Sequence, residues 1–451
     1  MAARHIERTQ ILRDLGEGLI LRRSTSKDTE ALVEFNSRVH SDDGWEEPDQ
    51  FVGAWTRDLM TKNHPTFDPQ DFTIVEDIHK GQIVSTLCLI SQTWTYAGVP
   101  FKVGRPELVG THPEYRNRGL IRAQFEEIHR WSAARRELVQ VITGIPYYYR
   151  LFGYEMALNL GGGRIGYLPH LPKLEEGQEE AFLIRPANKK DVGFIQKTYD
   201  TGIQRSMVSC QRNPDIWRYE ISGHDPLSVN GRALCIIETP QGEPVGFLAH
   251  PRMLWGPSMA ATTIEVKSGS SWLEVTPSVI RYLQKIGESY AEQQGKFPFQ
   301  SFRLALGEEH PAYEAFADQL PRVYPPYAYY VRVPDLRAFI QTIRPVLEER
   351  LANSIAVGYT GELNISFYRT GLQLIFEHGR LSKVDSWTPV PRGESGDAVF
   401  PQLTFTQLVF GYRSLRELEY AFPDCTHRGD TARVLLSVLF PKQNSDIWPL
   451  N

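Results

Sequence analysis

The chain has 451 residues, which at roughly 150 residues per domain leaves room for about three domains. Forty-nine Lys+Arg against 54 Asp+Glu give a net charge of -5 at pH 7, which argues against a nucleic-acid protein held by bulk positive charge. A hydrophobic content of 41% with 23% charged residues excludes a disordered chain, and no apolar run approaches the ~18–20 residues of a membrane span.

In chain order, the first signal is an internal echo. Residues 21–28 read LRRSTSKD and residues 184–191 read IRPANKKD, 163 positions later. Each closes a short apolar run and opens a helical pattern, with Ala31, Leu32 and Phe35 in one copy and Val192, Ile195, Thr198 and Tyr199 in the other. Strand, polar turn and capped helix in the same order suggest a duplicated β-turn-α opening. Strands are predicted at 72–76 and 83–96, then at 107–111. A turn at 112–118 follows, then a helix over about 119–135 with Ile121, Phe125, Ile128 and Trp131 on one face, and a strand at 138–143. A Gly-rich, acidic stretch at 161–180 reads as a boundary. Beyond it, strands are predicted at 233–238 and 245–250 and a helix at 278–293. The Pro- and Tyr-rich segment 321–334 marks a second boundary. In the last part, Asp335 can cap a single helix carrying Leu336, Phe339, Ile340, Ile343, Leu347 and Leu351 on one face. Leu363, Ile365 and Phe367 alternate on one strand, and Leu372, Leu374 and Phe376 on the next; a further helix runs from Asp430 to Pro441. The expected class is α+β, a mixed α/β chain of three units: residues 1–165, 166–330 and 331–451.

The stretch that carries chemistry joins a strand to a helix: Arg116, Asn117, Arg118, Gly119, Leu120, Ile121 and Arg122. The first N–H groups of a helix lack internal partners, and the helix dipole is positive there. Gly119 removes a Cβ from the approach, and three arginines add charged donors. These features suit a pyrophosphate. The spacing is neither a Walker A loop nor a GxGxxG dinucleotide turn. A solvated basic helix start has the same composition.

This segment resembles motif A of the GCN5-related N-acetyltransferases, Gln/Arg-x-x-Gly-x-Gly/Ala: Arg116 and Gly119 match, and Ile121 replaces the small last residue. The chain is similar over its whole length to the enhanced-intracellular-survival (Eis) acetyltransferases. The segments that carry this are HPEYRNRGL (112–120), YYYRLFGY (147–154) and FTQLVFGYRSLREL (405–418). The resemblance implies two tandem GNAT-like domains, the second without the phosphate motif, and a C-terminal domain like sterol carrier protein. It implies that the strand ending at Val109, Gly110 and Thr111 splays from 138–143 to admit the pantetheine arm of acetyl-CoA. The N–H groups from Arg116 to Ile121 would then hold the pyrophosphate, with Thr143 and Gly144 on the opposite wall. Tyr149, three positions before Phe152-Gly153-Tyr154, would be the general acid. The carboxylate of Asn451 would be the base or the anchor of the amine. The acidic loop 41–49, with Asp43, Trp45 and Glu46, would border a cationic acceptor.

The resemblance further implies an acetyl-CoA-dependent transfer to a primary amine of a cationic small molecule or a lysine, aminoglycosides and polyamines included, by a homo-oligomer, a hexamer. No metal is expected. Cys88, Cys210, Cys235 and Cys425 lie far apart without CxxC spacing, so neither a disulfide framework nor a Cys-based metal site is expected. Charges scattered through the first twenty residues argue against a signal peptide. A cytoplasmic protein without membrane or nucleic-acid partners is the expectation. The rival readings are a non-catalytic acyl-CoA-binding protein and a lipid carrier.

Overall fold

The computed structural model describes residues 11–61, 63–295, 297–389 and 396–447. The first unit starts with strands β1 (Ile11–Gly16) and β2 (Leu19–Arg23), then helices α1 (Thr29–Val39) and α2 (Gln50–Leu59). Strands β3 (Phe72–Asp77), β4 (Gln82–Tyr96) and β5 (Val99–Thr111) follow, then helix α3 (Leu120–Ala134), β6 (Val139–Ile142) and β7 (Glu155–Leu160). The long β4–β5 hairpin closes through Ala97 and Gly98, both at positive φ (44° and 85°), the backbone that a two-residue hairpin with native twist requires. Helices α1 and α2 cover one face of this sheet through Leu32, Phe35, Trp55 and Leu59. Helix α3 covers the other through Phe125, Ile128 and Trp131. Its length matches the helix expected from that stripe.

The second unit contains β8 (Gly163–Tyr167), β9 (Leu183–Pro186), α4 (Val192–Gly202), β10 (Val208–Cys210) and α5 (Pro214–Ser222). It continues with β11 (Arg232–Glu238), β12 (Pro244–Pro251), β13 (Ser258–Ala261), β14 (Thr263–Val266), α6 (Trp272–Gln294), β15 (Ser301–Leu304), α7 (Pro311–Ala315) and β16 (Arg322–Tyr324), before β17 (Tyr327–Arg332). The sequence echo becomes a repeated ion-pair arrangement. Arg22 pairs with both oxygens of Asp28 and with Glu76, and Arg185 pairs with both oxygens of Asp191 and with Glu238. Each aspartate also closes a capping box, on Thr25 in one unit and Asn188 in the other.

The two units trade strands. The first sheet runs β1-β2-β3-β4-β5-β6-β17-β7, with β10 also paired against β4, and one sheet of the second unit runs β13-β15-β8-β16. Strand β17 thus follows the whole second unit in sequence, yet it separates β6 from β7. Strand β8, directly after β7, crosses the other way and lies between β15 and β16. Three consecutive glycines at positive φ, Gly161 to Gly163, make the outgoing turn. A Cβ on Gly163 would fall 2.0 Å from the Leu304 carbonyl oxygen. The expected boundaries at 165/166 and 330/331 fall inside these two exchanged strands, because turn residues mark where the chain changes direction and not which sheet the next strand joins.

The third unit holds α8 (Leu336–Thr342), α9 (Arg344–Ala352), β18 (Gly361–Ser366), β19 (Gly371–Glu377), β20 (Arg380–Trp387), β21 (Ala398–Val399), α10 (Thr404–Val409), α11 (Leu415–Ala421), β22 (Thr426–His427) and α12 (Gly429–Leu439). The single helix expected after Asp335 is two. Pro345 sits at the start of α9, and its missing N–H and fixed ring end the helix before it. Asp335 caps α8 as expected, accepting from the N–H of Ala338 at 2.9 Å. The helix expected at 278–293 begins earlier, at Trp272, capped by Ser271. The third unit shares one core with the first: Trp94, Tyr96, Phe101, Val139 and Val331 pack with Phe339, Leu374, Phe405, Leu408 and Leu436. The Tyr96 hydroxyl donates to the Val409 carbonyl at 2.7 Å.

Among the described residues no helix is long and apolar enough to cross a membrane. No cluster of three His, Cys, Asp or Glu there could hold a metal, and all four cysteines are free and buried.

Candidate functional site

Strands β5 and β6 are parallel but pair only at Val103–Val139 and Gly104–Gln140. Past those residues the two strands are not paired, so a fork opens toward Val109, Gly110 and Thr111 on one side and Thr143 and Gly144 on the other. A bulge in β5 sets the fork. Leu108 is buried at φ 51°, and the register against β4 shifts between Thr86 and Cys88. The Thr86 hydroxyl is within bonding distance of both the Leu108 carbonyl (3.1 Å) and Asn36 Oδ1 (2.8 Å). Gly110 has a packing reason to be glycine, since a Cβ there would meet Val39 at 2.6 Å. Val109 packs at the edge of the α3 core, and Thr111 Oγ1 lies 2.9 Å from Ser85 Oγ.

The β5–α3 connection begins with a short 3-10 turn, Pro113–Tyr115. The Tyr115 hydroxyl donates to Asp77 at 2.6 Å and pins the turn to the end of β3. Asn117 (φ 62°) and Gly119 (φ 75°) are both left-handed, and Gly119 is the N-cap of α3. A Cβ on Gly119 would meet nothing within 4 Å, so the glycine answers to its backbone angle and leaves open space in front of the helix. Among the described residues, no acceptor engages the N–H groups of Asn117, Arg118, Gly119, Leu120, Ile121 or Arg122. These unpaired donors coincide with the positive end of the helix dipole, a ready anion site. Arg116, Arg118 and Arg122 are all exposed. Arg118 lies over the Tyr115 ring, 3.6 Å from Glu17, and Arg122 lies over Phe152. Leu120 and Ile121 face inward, and Ile121 packs against the α3 core.

Across the fork, the loop after β6 leads into a 3-10 turn, Tyr148–Phe152. Tyr149 is buried there among Phe125, Tyr148, Tyr154 and Tyr330. Its hydroxyl lies 3.3 Å from the Cβ that Gly144 lacks, so the phenol sits against the bare backbone of that wall. Burial, with the negative charge of Glu107 second, pushes the phenol well above its ordinary range. Among the described residues it makes no hydrogen bond through its hydroxyl. Tyr147 is exposed and Tyr148 half-buried.

Glu107 is a candidate the sequence did not disclose, and its negative charge acts on Tyr149. It precedes the bulged Leu108, is largely buried, and accepts from Arg105 Nε at 2.8 Å. The loop 41–49 lies beside the turn through Trp45, whose ring stands edge-on to His112 with centroids 4.4 Å apart. Asp43 and Glu46 on that loop are exposed. The described tail, to Ile447, runs inward. Asp446 donates its N–H to the Val208 carbonyl at 3.2 Å, with its side chain exposed between the buried Ser445 and Ile447. Asn451, expected to bring a carboxylate to the site, lies outside the described residues. A cavity of about 990 Å³ opens elsewhere, between β4 and α4, with Gln92, Arg135, Glu137 and Gln196 on its walls. None of the residues above lines it.

Residues 21–157 match the acetyltransferase (GNAT) domain family. No curated protein matches the sequence. Solved structures with the same fold include an Enterococcus faecalis protein described as a candidate N-acyltransferase (TM-score 0.62, 14% identity, 96% of this chain and 100% of that one). They include a GCN5-related N-acetyltransferase from Kribbella flavida (0.61, 14%, 96% and 98%) and Eis1 from Mycobacterium abscessus (0.57, 12%, 94% and 98%). The domain match and the structural neighbours together support an acyltransferase.

Proposed function

We propose that the protein transfers the acetyl group of acetyl-CoA to a primary amine. The observation that carries this is the fork itself: unpaired N–H groups at the head of α3 on one side, and a buried phenol against bare backbone on the other. The free edges of β5 and β6 suit the amide-bearing pantetheine arm, and the helix N-terminus with its arginines suits the pyrophosphate. In the fork, a neutral amine attacks the thioester carbonyl carbon. The C–N bond forms, the C–S bond breaks, and Tyr149 donates a hydrogen bond to the departing thiolate. The proton released by the amine passes to a carboxylate. Glu107, through a water because Arg105 occupies one oxygen, and the C-terminal carboxylate of Asn451 are the two candidates. The acceptor is a cationic amine, a polyamine, an aminoglycoside or a lysine side chain. The acidic loop with Asp43, Trp45 and Glu46 would draw it in by charge and by cation–π contact.

The Eis-like reading carries further proposals: two tandem GNAT-like units, residues 1–165 and 166–330, a sterol-carrier-like unit at 331–451, and a hexameric assembly in the cytoplasm. The repeated Arg–Asp–Glu arrangement supports the first. Light scattering tests the assembly.

The deciding experiment is thiol release from acetyl-CoA across a panel of amines. Turnover with any of them, lost in Tyr149→Phe, supports the transferase. Acetyl-CoA binding with no turnover leaves a non-catalytic acyl-CoA-binding protein. Fatty-acid binding that is indifferent to Gly119→Glu, with no turnover, leaves a lipid carrier.

A further inference from the structure

We propose that Tyr330, with Tyr327 beside it, is a positioning residue for the acyl transfer, delivered to the site by the exchanged strand β17. The inference rests on the reading of Tyr149 as the group that meets the thiolate. The segment between β6 and Tyr149 has no regular structure to hold it. Its residues Gly144 to Tyr147 are exposed, Gly144 stands at φ 131°, and Tyr147 at φ 62° is left-handed although it carries a Cβ. Besides the turn bonds from the Tyr148 N–H to the Ile145 carbonyl and from the Arg150 N–H to the Tyr147 carbonyl, both 3.3 Å, what fastens this segment comes from outside the first 160 residues. The Tyr327 hydroxyl donates to the Gly144 carbonyl at 2.9 Å. The Tyr330 hydroxyl donates to the Ile145 carbonyl at 3.2 Å and accepts from the N–H of Tyr147. Three of four consecutive residues are thereby tied to one strand. Tyr330 also presents its ring edge-on to Tyr149, with centroids 5.4 Å apart.

Tyr330 therefore touches Tyr149 twice, once through the ring and once through the loop that sets its backbone. Tyr330 is fully buried, and burial holds its phenol up to about 12, so both hydrogen bonds persist across the working pH range. The acid on the first unit's wall is thus aimed by a strand that reaches it only after the second unit has been traversed. The seventh-strand position would supply the loop's clamp, and a swap of β17 for any other strand would leave the sheet filled but the loop loose.

The test is a double-mutant cycle in the full-length protein, read by steady-state acetyl transfer with kcat and KM determined separately. Tyr330→Phe keeps the ring and removes both hydrogen bonds. Its expected effect is a fall in kcat of about 10–100-fold, because misplacing a catalytic group by about 1 Å costs on that order, with the KM for acetyl-CoA unchanged within about twofold. Tyr327→Phe, which frees only Gly144, should fall between Tyr330→Phe and the unmodified protein. The decisive comparison is Tyr330→Phe made in the Tyr149→Phe background, where the further loss should shrink to less than about threefold, since a clamp has nothing to aim once the hydroxyl is gone. A loss of equal size in both backgrounds overturns the positioning role while leaving the function of Tyr149 intact, and so does a Tyr330→Phe protein as fast as the unmodified one when Tyr149→Phe is slow. A fully active Tyr149→Phe protein overturns both this inference and the reading beneath it.

Discussion

A phenol that meets a leaving thiolate must still carry its proton when the thiolate appears. An ordinary tyrosine has a pKa of about 10 and an ordinary thiol about 8.5. Burial and the nearby charge of Glu107 push Tyr149 further up, so the group stays neutral wherever the enzyme works and acts as a hydrogen-bond donor. Tyr149→Phe should lower kcat by about 10²–10⁴-fold and leave the dissociation constant of acetyl-CoA nearly unchanged. The kcat–pH profile should show no alkaline limb from this residue below about pH 10; a limb near pH 8 that vanishes in Tyr149→Phe would show the assignment to be wrong. The proton acceptor can be separated from it. If Glu107 takes the proton, Glu107→Gln slows turnover at least tenfold, while residues added after Asn451 have little effect; if the terminal carboxylate takes it, the two outcomes reverse. Tyr149 could be named as a candidate from the sequence because a local string, Phe152-Gly153-Tyr154, fixes its place in the chain. Glu107 could not, because its role depends on the bulge at Leu108, and a leucine at positive φ has no compositional signature.

Elements that rest on local periodicity were legible, and those that rest on partners were not. The stripe Ile121, Phe125, Ile128 and Trp131 gave α3 directly, and Asp335 gave the start of α8. The missed break at Pro345 is a local error: the apolar face continues through it, but the N–H ladder does not. The fork is an element-scale device, for it needs the left-handed Gly119 to end the turn and start α3 with its donors outward. Any residue with a Cβ at φ 75° is strained by about 1–2 kcal/mol. Gly119→Ala should therefore destabilise the protein by about that amount while keeping some affinity for acetyl-CoA, since the space in front of it is open. Gly119→Glu adds a negative charge where the pyrophosphate is to sit. Calorimetric titration should show its affinity for acetyl-CoA reduced at least 100-fold, with a melting temperature close to that of Gly119→Ala. Equal binding by the two variants would remove the helix head from the binding site.

At the scale of the whole molecule, the reciprocal exchange of β8 and β17 could not have been read from the sequence. Both strands look like ordinary neighbours of their turns, and only pairing over a long separation decides which sheet receives them. The same holds for the contact between α2 and α5. There His224 Nδ1 lies 3.3 Å from Asp58 Oδ2, its Nε2 lies 3.6 Å from Glu220 Oε2, and the Asp225 N–H donates to Asp58 Oδ1 at 2.9 Å. His64, Tyr219, Arg212 and Arg232 stand around the group. Burial opposes the charge on His224, but the two carboxylates outweigh it and raise its pKa to about 8. The sign follows from linkage. A histidine raised in the folded state from about 6.5 contributes stability that is fully present below pH 6.5 and is lost as pH rises through 8. The loss is on the order of 2 kcal/mol at about 1.4 kcal/mol per pKa unit, and it falls on the seam between the first two units. Glu265, held by burial up to about 7 beside Arg205, loses stability in the same direction from a different element, so the wild-type slope alone does not isolate the histidine. The measurement is therefore a difference: melting temperature from pH 6 to 9 for the unmodified protein and for His224→Gln. The unmodified protein should lose a few degrees more over that range. Parallel curves would mean that the charge on His224 does not join the two units, which leaves their seam to backbone pairing, the exchanged strands and β10 against β4 included.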